Sequence, residues 1–137
     1  MSYQPKKVGV LTLSQVKDFL NQADDLTNLA NKVILIFGVF GALRPHEISI
    51  INVQNVKDTG NQFTVTINDS KNCFLRNFTI DQEYYGIIHK YISLRSKDFD
   101  DQHFFVTYNM GQCKSQVIGK RKIAEVPKIV PKSRRKS

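Results

Sequence analysis

Gly38-Val39-Phe40-Gly41-Ala42-Leu43-Arg44-Pro45-His46-Glu47-Ile48 is the stretch that decides how this chain is read. It closes an apolar run, Val33 to Leu43, interrupted by two glycines, with one arginine and, three residues on, one glutamate. Proline disfavours helical geometry in the residue before it and suits the first position of a new helix. The spacing therefore predicts one buried helix ending near Gly41 and a short second helix over Pro45 to Ile51. Gly38 and Gly41 weaken a helix, so they mark a close backbone approach or a helix end. Arg44 then stands at the junction. Its planar fork of donors fits phosphate oxygens bidentately, and a helix start adds N–H groups and a favourable dipole. Glu47 is placed to hold that guanidinium. The same spacing also fits a plain ion pair that caps a helix and does nothing else, since i,i+3 pairs are common. From spacing alone the plain pair is the favoured reading.

Outward from this junction, the chain reads as α+β. Thr12-Leu13-Ser14-Gln15 matches a capping box, and Val16, Phe19, Leu20 and Ala23 follow on one helical face. Asn21 to Asp25 reads as a turn. From Leu26 the positions Leu29, Ala30, Val33, Ile34, Phe37 and Phe40 continue a second, central helix, apolar on nearly every face beyond Val33. After the junction come strand signals: Val53 to Asp58, then Phe63, Val65 and Ile67 alternating with polar residues, then Phe74, Arg76, Phe78 and Ile80. Turns at residues 58–61 and 68–72 join them into a three-stranded antiparallel meander. Gln82 to Arg95 returns to helical period, with Tyr84, Ile87, Ile88, Tyr91 and Ile92 as its buried stripe. Tyr84, Tyr85 and Tyr91 read as core rather than as platforms for stacked bases. Phe104 to Tyr108 and Gln116 to Ile118 read as short extended pieces, and Lys120 to Val130 as a weak basic helix containing Pro127. The organisation is a loose lead-in over residues 1–10, one domain over 11–130, and a basic tail over 131–137.

Composition narrows the function classes. At 137 residues the chain is long enough to bury a core as a single domain. The apolar run spans eleven residues, too few to cross a bilayer, and the first residues lack the apolar segment of a secretory signal. Cys73 and Cys113 read as two free thiols of a reducing compartment. His46, His89 and His103 are scattered, so no metal site is expected. There is no glycine-rich phosphate loop, no HExxH, no paired-carboxylate signature and no nucleophile elbow, so no cofactor is expected.

Residues 1–113 hold eleven basic and eleven acidic side chains, and residues 114–137 hold nine basic against one acidic, so the entire net charge of +8 lies at that end. A neutral body with a cationic end points to a polyanion partner through Lys114, Lys120, Arg121 and Lys122. The run Pro131 to Ser137 fits a nuclear localisation signal or a phosphorylation target equally well.

The order of these features resembles the catalytic domain of the tyrosine recombinase (phage integrase) superfamily. Gly41-Ala42-Leu43-Arg44-Pro45-His46-Glu47-Ile48 looks like that family's first arginine motif, and Lys71 falls where its β-hairpin lysine lies. The segments Lys90 to Arg95 and Gln116 to Lys120 look closer to the crypton-type recombinases of eukaryotic mobile elements. The resemblance covers about residues 10 to 130. It implies a partial recombinase catalytic fold, DNA strand exchange through a tyrosine nucleophile, and an intracellular, nuclear setting. Carried over, Arg44 grips the scissile phosphate, Lys71 is the general acid and Glu47 supports from behind.

The departure from the pattern is as informative. These 137 residues contain neither the family's His-x-x-Arg motif nor a tyrosine at the nucleophile's place. Tyr84, Tyr85, Tyr91 and Tyr108 all precede it. The expectation is therefore a catalytically incomplete domain that retains weak, salt-sensitive affinity for duplex DNA. The alternative is a protein-interaction module of mobile-element origin, docking through exposed apolar surface and complementing or inhibiting an intact recombinase. A small basic RNA-binding protein is a third class, disfavoured because the chain lacks the aromatic RNP pattern and a GxxG loop.

Overall fold

The computed structural model describes residues 12–69, 74–95 and 102–130. Helix α1 (Leu13–Gln22) opens on the expected capping box. Thr12 Oγ1 accepts from the Gln15 N–H at 3.1 Å, and Gln15 Oε1 accepts from the Thr12 N–H at 2.9 Å. The helix runs two residues further than the sequence suggested, which leaves only Ala23 and Asp24 as the link to α2 (Asp25–Gly41). Asp24 explains the shortness: its carboxylate caps α2 by accepting from the Thr27 N–H, so the new helix starts as soon as the old one stops.

Helix α2 is the hub. Leu29, Val33, Ile36 and Phe37 are fully buried on it. Phe37 meets Phe105 and Phe78 edge-on, at centroid distances of 5.1 and 5.8 Å, and stacks on Phe104 at 5.6 Å. Such offset and perpendicular pairs add to the gain from burial alone.

On one side of α2 lies the expected meander, β1 (Val56–Asp58), β2 (Phe63–Asp69) and β3 (Phe74–Ile80), paired in sequence order. The register sets Phe63 opposite Ile80 and Val65 opposite Phe78, so Phe63, Val65, Ile67 and Ile80 share the buried face. The first half of the expected first strand is instead a 3-10 turn, Val53–Asn55, because the Asn55 side chain accepts from the Asn52 N–H and curls the backbone before it can pair. The β1–β2 turn is fixed by Asp58, whose carboxylate accepts from the Gly60 N–H at 2.8 Å while Gly60 takes φ +109°.

Helix α4 (Gln82–Leu94) buries Tyr84, Ile88 and Tyr91 against α2. The two extended pieces beyond it are one β-hairpin, β4 (Val106–Asn109) and β5 (Gln112–Val117), turning on Met110 and Gly111, both at positive φ. The Tyr91 hydroxyl ties that hairpin to α4. It donates to the Val106 carbonyl and accepts from the Val106 N–H, both at 2.9 Å. The final basic segment is a six-residue helix, α5 (Lys120–Glu125), followed by a 3-10 turn over Val126–Ile129. Pro127 lacks the N–H that would continue α5, hence the change of winding. Among the described residues no helix is long and apolar enough to cross a membrane.

Candidate nucleic-acid interface

Helix α2 ends where the sequence placed its end. Ala42 closes it in the left-handed conformation (φ 53°, ψ 45°), and the N–H groups of Ala42 and Leu43 both point at the Gly38 carbonyl. Leu43 tucks its side chain inward, and Arg44 follows in extended geometry at the N-cap of α3 (Pro45–Ser49). The buried side chains of Leu43 and Ile48 pin the two ends of this turn. The Arg44 side chain is consequently left exposed.

Glu47 reaches back to the start of α3. Its carboxylate accepts from the Arg44 backbone N–H at 2.9 Å, closing the reciprocal half of a capping box. It thereby fixes the arginine's main chain. Helix α3 has only five residues and ends at Ser49, two residues short of the expected Ile51, so its dipole adds little to an anion beside Arg44.

The fold adds a juxtaposition the sequence did not reveal. Helix α5 packs on α3, with Ile48 and Ile123 both buried. Lys120, Arg121 and Lys122 are all exposed on α5, and Lys128 follows exposed on the 3-10 turn. The arginine helix and the basic helix are thus neighbours, seventy-odd residues apart in sequence. Lys114 lies on β5, its side chain outside the described set. Lys71, Cys73 and residues 131–137 also lie outside the described residues, as does the lead-in over residues 1–10. Cys113 is a free, half-buried thiol whose pKa burial pushes up.

One ionic cluster escaped the sequence reading. Lys32, on the apolar central helix, is buried, and its Nζ donates to Asp25 Oδ1 at 2.8 Å. The other carboxylate oxygen accepts from Lys90 of α4 at 2.9 Å, and the Asp25 carbonyl accepts from the Tyr108 hydroxyl at 2.7 Å. Partial burial alone would raise the Asp25 pKa, but the two ammonium groups outweigh it and hold the carboxyl below its ordinary 3.8. Asp25 thereby clasps α2, α4 and the β4–β5 hairpin together. The signal was present as a lone lysine inside an apolar stripe, which requires a counter-charge.

The aromatic residues of α4 divide. Tyr84 and Tyr91 are core, as expected, whereas Tyr85 is half-buried at the rim, stacked on Phe63 at 4.8 Å with its hydroxyl donating to Asp58.

No family model matches this sequence, and no curated protein matches it in sequence. Solved structures do match in three dimensions. A XerA recombinase superposes with a TM-score of 0.65 at 16% identity, over 93% of this chain and 44% of that one. A XerH site-specific recombinase bound to its difH substrate before cleavage gives 0.61 at 13% identity, over 98% and 41%. XerH bound to a palindromic difH substrate after cleavage gives 0.58 at 11%, over 93% and 38%. The likeness is one of fold, shared with part of each of these recombinases. The chain spans about two fifths of the length of these relatives.

Proposed function

We propose that this chain is a recombinase-like domain that holds duplex DNA by its phosphates and, as these 137 residues, does not cut it. The observation that carries the reading is the exposed Arg44 at the α2–α3 junction with exposed Lys120, Arg121 and Lys122 on the helix packed beside it. The fold shared with DNA-bound XerH structures supports the same partner. Phosphate clamping survives without a nucleophile, but turnover does not. The segments Lys90 to Arg95 and Gln116 to Lys120 support a crypton-type, mobile-element affinity within the superfamily.

The test is fluorescence anisotropy on a labelled duplex across a salt series. Four cations on phosphates give a log–log slope of about −3.6, so affinity falls about a hundredfold from 50 to 200 mM salt. Arg44→Ala flattens that slope by about one unit. A salt-independent affinity, or a slope unmoved by Arg44→Ala, overturns the proposal.

A second reading has its own observation. An apolar groove of about 240 Å³ opens between α2, α3 and α5, with Ile34, Val39, Leu43, Ile48 and Ile123 in its walls. That surface supports a protein-docking module. Light scattering with an intact recombinase separates the two: a mixed complex supports docking, and two unchanged particles reject it.

A further inference from the structure

The geometry points to Gly41 as a positioning residue for Arg44, acting through the ring of Phe78. The inference rests on the DNA-binding reading above. A Cβ built on Gly41 would lie 2.5 Å from Phe78 Cε1, 2.6 Å from Cζ and 2.9 Å from Cδ1, distances that real Cβ atoms essentially never show. Gly38, one turn earlier, would meet nothing closer than 3.7 Å. So of the two glycines in the motif, only Gly41 is required by contact. Its missing side chain lets an aromatic ring of the sheet approach the last turn of α2.

The ring is not free to drift. Phe78 stands perpendicular to the fully buried Phe37 at 5.8 Å, and its backbone is paired with Val65 of the central strand. Between Gly41 and Arg44 the chain has no slack either. Ala42 and Leu43 both bond the Gly38 carbonyl, Leu43 is buried, and Arg44 has its N–H held by Glu47 while its carbonyl accepts from the Ile48 N–H at 3.0 Å. Held by these bonds and by the buried Leu43, the three residues act as a short rigid arm. The seat of Phe78 on Gly41 therefore sets the height and angle at which the guanidinium leaves the α2–α3 junction. Because Gly41 takes ordinary helical geometry, with no positive φ, a Cβ there adds bulk without backbone strain.

The experiment is a double-mutant cycle on duplex binding by anisotropy, at a temperature where melting curves show every variant folded. Arg44→Ala weakens binding about tenfold, the worth of one charge-assisted contact. Gly41→Ala weakens it about threefold or more, and never beyond Arg44→Ala. On the Arg44→Ala background Gly41→Ala adds nothing, because the group it positions is gone. Trimming the ring restores the seat: Gly41→Ala with Phe78→Leu binds within about twofold of Phe78→Leu alone. Should Gly41→Ala fail to fold, Phe78→Ala removes the same seat from the other side, and its loss is likewise absent on the Arg44→Ala background. Parent-like affinity in a folded Gly41→Ala protein means the ring simply swings aside, and overturns the inference. So does a Gly41→Ala loss that adds in full to that of Arg44→Ala. If Arg44→Ala itself binds like the parent, the DNA-binding reading has failed, and the inference falls with it.

Discussion

Asp25→Asn is the substitution on which the packing argument is most exposed. Among the described residues Asp25 is the counter-charge that Lys32 meets; the Lys32 side chain is 5% exposed and the Asp25 side chain 33%. Breaking a buried pair from one side strands the other charge, at about 3–5 kcal/mol. Water reaches the carboxylate here, so about 2–3 kcal/mol is the better expectation. With a urea m-value of about 2 kcal/mol/M, the unfolding midpoint drops by about 1–1.5 M. Adding Lys32→Met to Asp25→Asn recovers most of the loss, because a thioether of similar length needs no partner.

The pH dependence has a fixed sign. The folded-state pKa of Asp25 lies below its ordinary 3.8, so its contribution is complete above that value and fades as pH falls through the folded pKa. Parent and Asp25→Asn stabilities therefore converge on acidification below about pH 4. An Asp25→Asn midpoint equal to the parent's at neutral pH, or a Lys32→Met addition that lowers it further, refutes the reasoning.

Three further outcomes follow from single contacts. Tyr91→Phe takes a partner from both the N–H and the carbonyl of buried Val106, costs about 2–3 kcal/mol, and speeds hydrogen exchange at Val106 before any other strand residue. Phe37→Ala empties the centre of the four-ring cluster and costs about 3–5 kcal/mol by denaturant titration; a loss under about 1 kcal/mol would mean that the rings collapse into the void. Ala42→Gly relieves a left-handed residue at the α2 C-cap and raises the melting temperature, by an amount matching up to about 1 kcal/mol.

How much of this was legible beforehand depended on the range of the physics involved. The capping box at Thr12, the end of α2 at Gly41, the restart at Pro45 and the meander were all readable, because each is decided by hydrogen bonds or steric limits within a few residues. The exceptions had the same scale but an ambiguous sign. Asn55 bonding back to Asn52 turned half a strand into a 3-10 turn, and Pro127 divided what read as one helix. Long-range facts were not readable. That α5 lies on α3, and that Lys90 of α4 reaches the Asp25 carboxylate, depends on how helices pack, which spacing does not encode. The outward direction of Arg44 is intermediate: the motif put it at a helix start, and only the burial of Leu43 and Ile48 on either side turned it to solvent.

That intermediate case bears on what the domain does. The α3–α5 pair has an apolar side and a cationic side built from the same few residues. Ile48 and Ile123 face the apolar groove, while Arg44 and Lys120 to Lys122 face water. A ligand on one side cannot shift these helices without moving the cations on the other, because α3 has five residues and α5 six, too short to bend independently of their contacts. On the proposed DNA-binding reading, duplex binding and groove occupancy are expected to be thermodynamically linked, with a reciprocal coupling. If a protein docks in the groove with duplex bound and free at equal affinity, the two sides move independently and the short helices are not rigid. If the affinities differ, the same factor must appear in the duplex affinity measured with and without that protein, which makes the linkage checkable from either side.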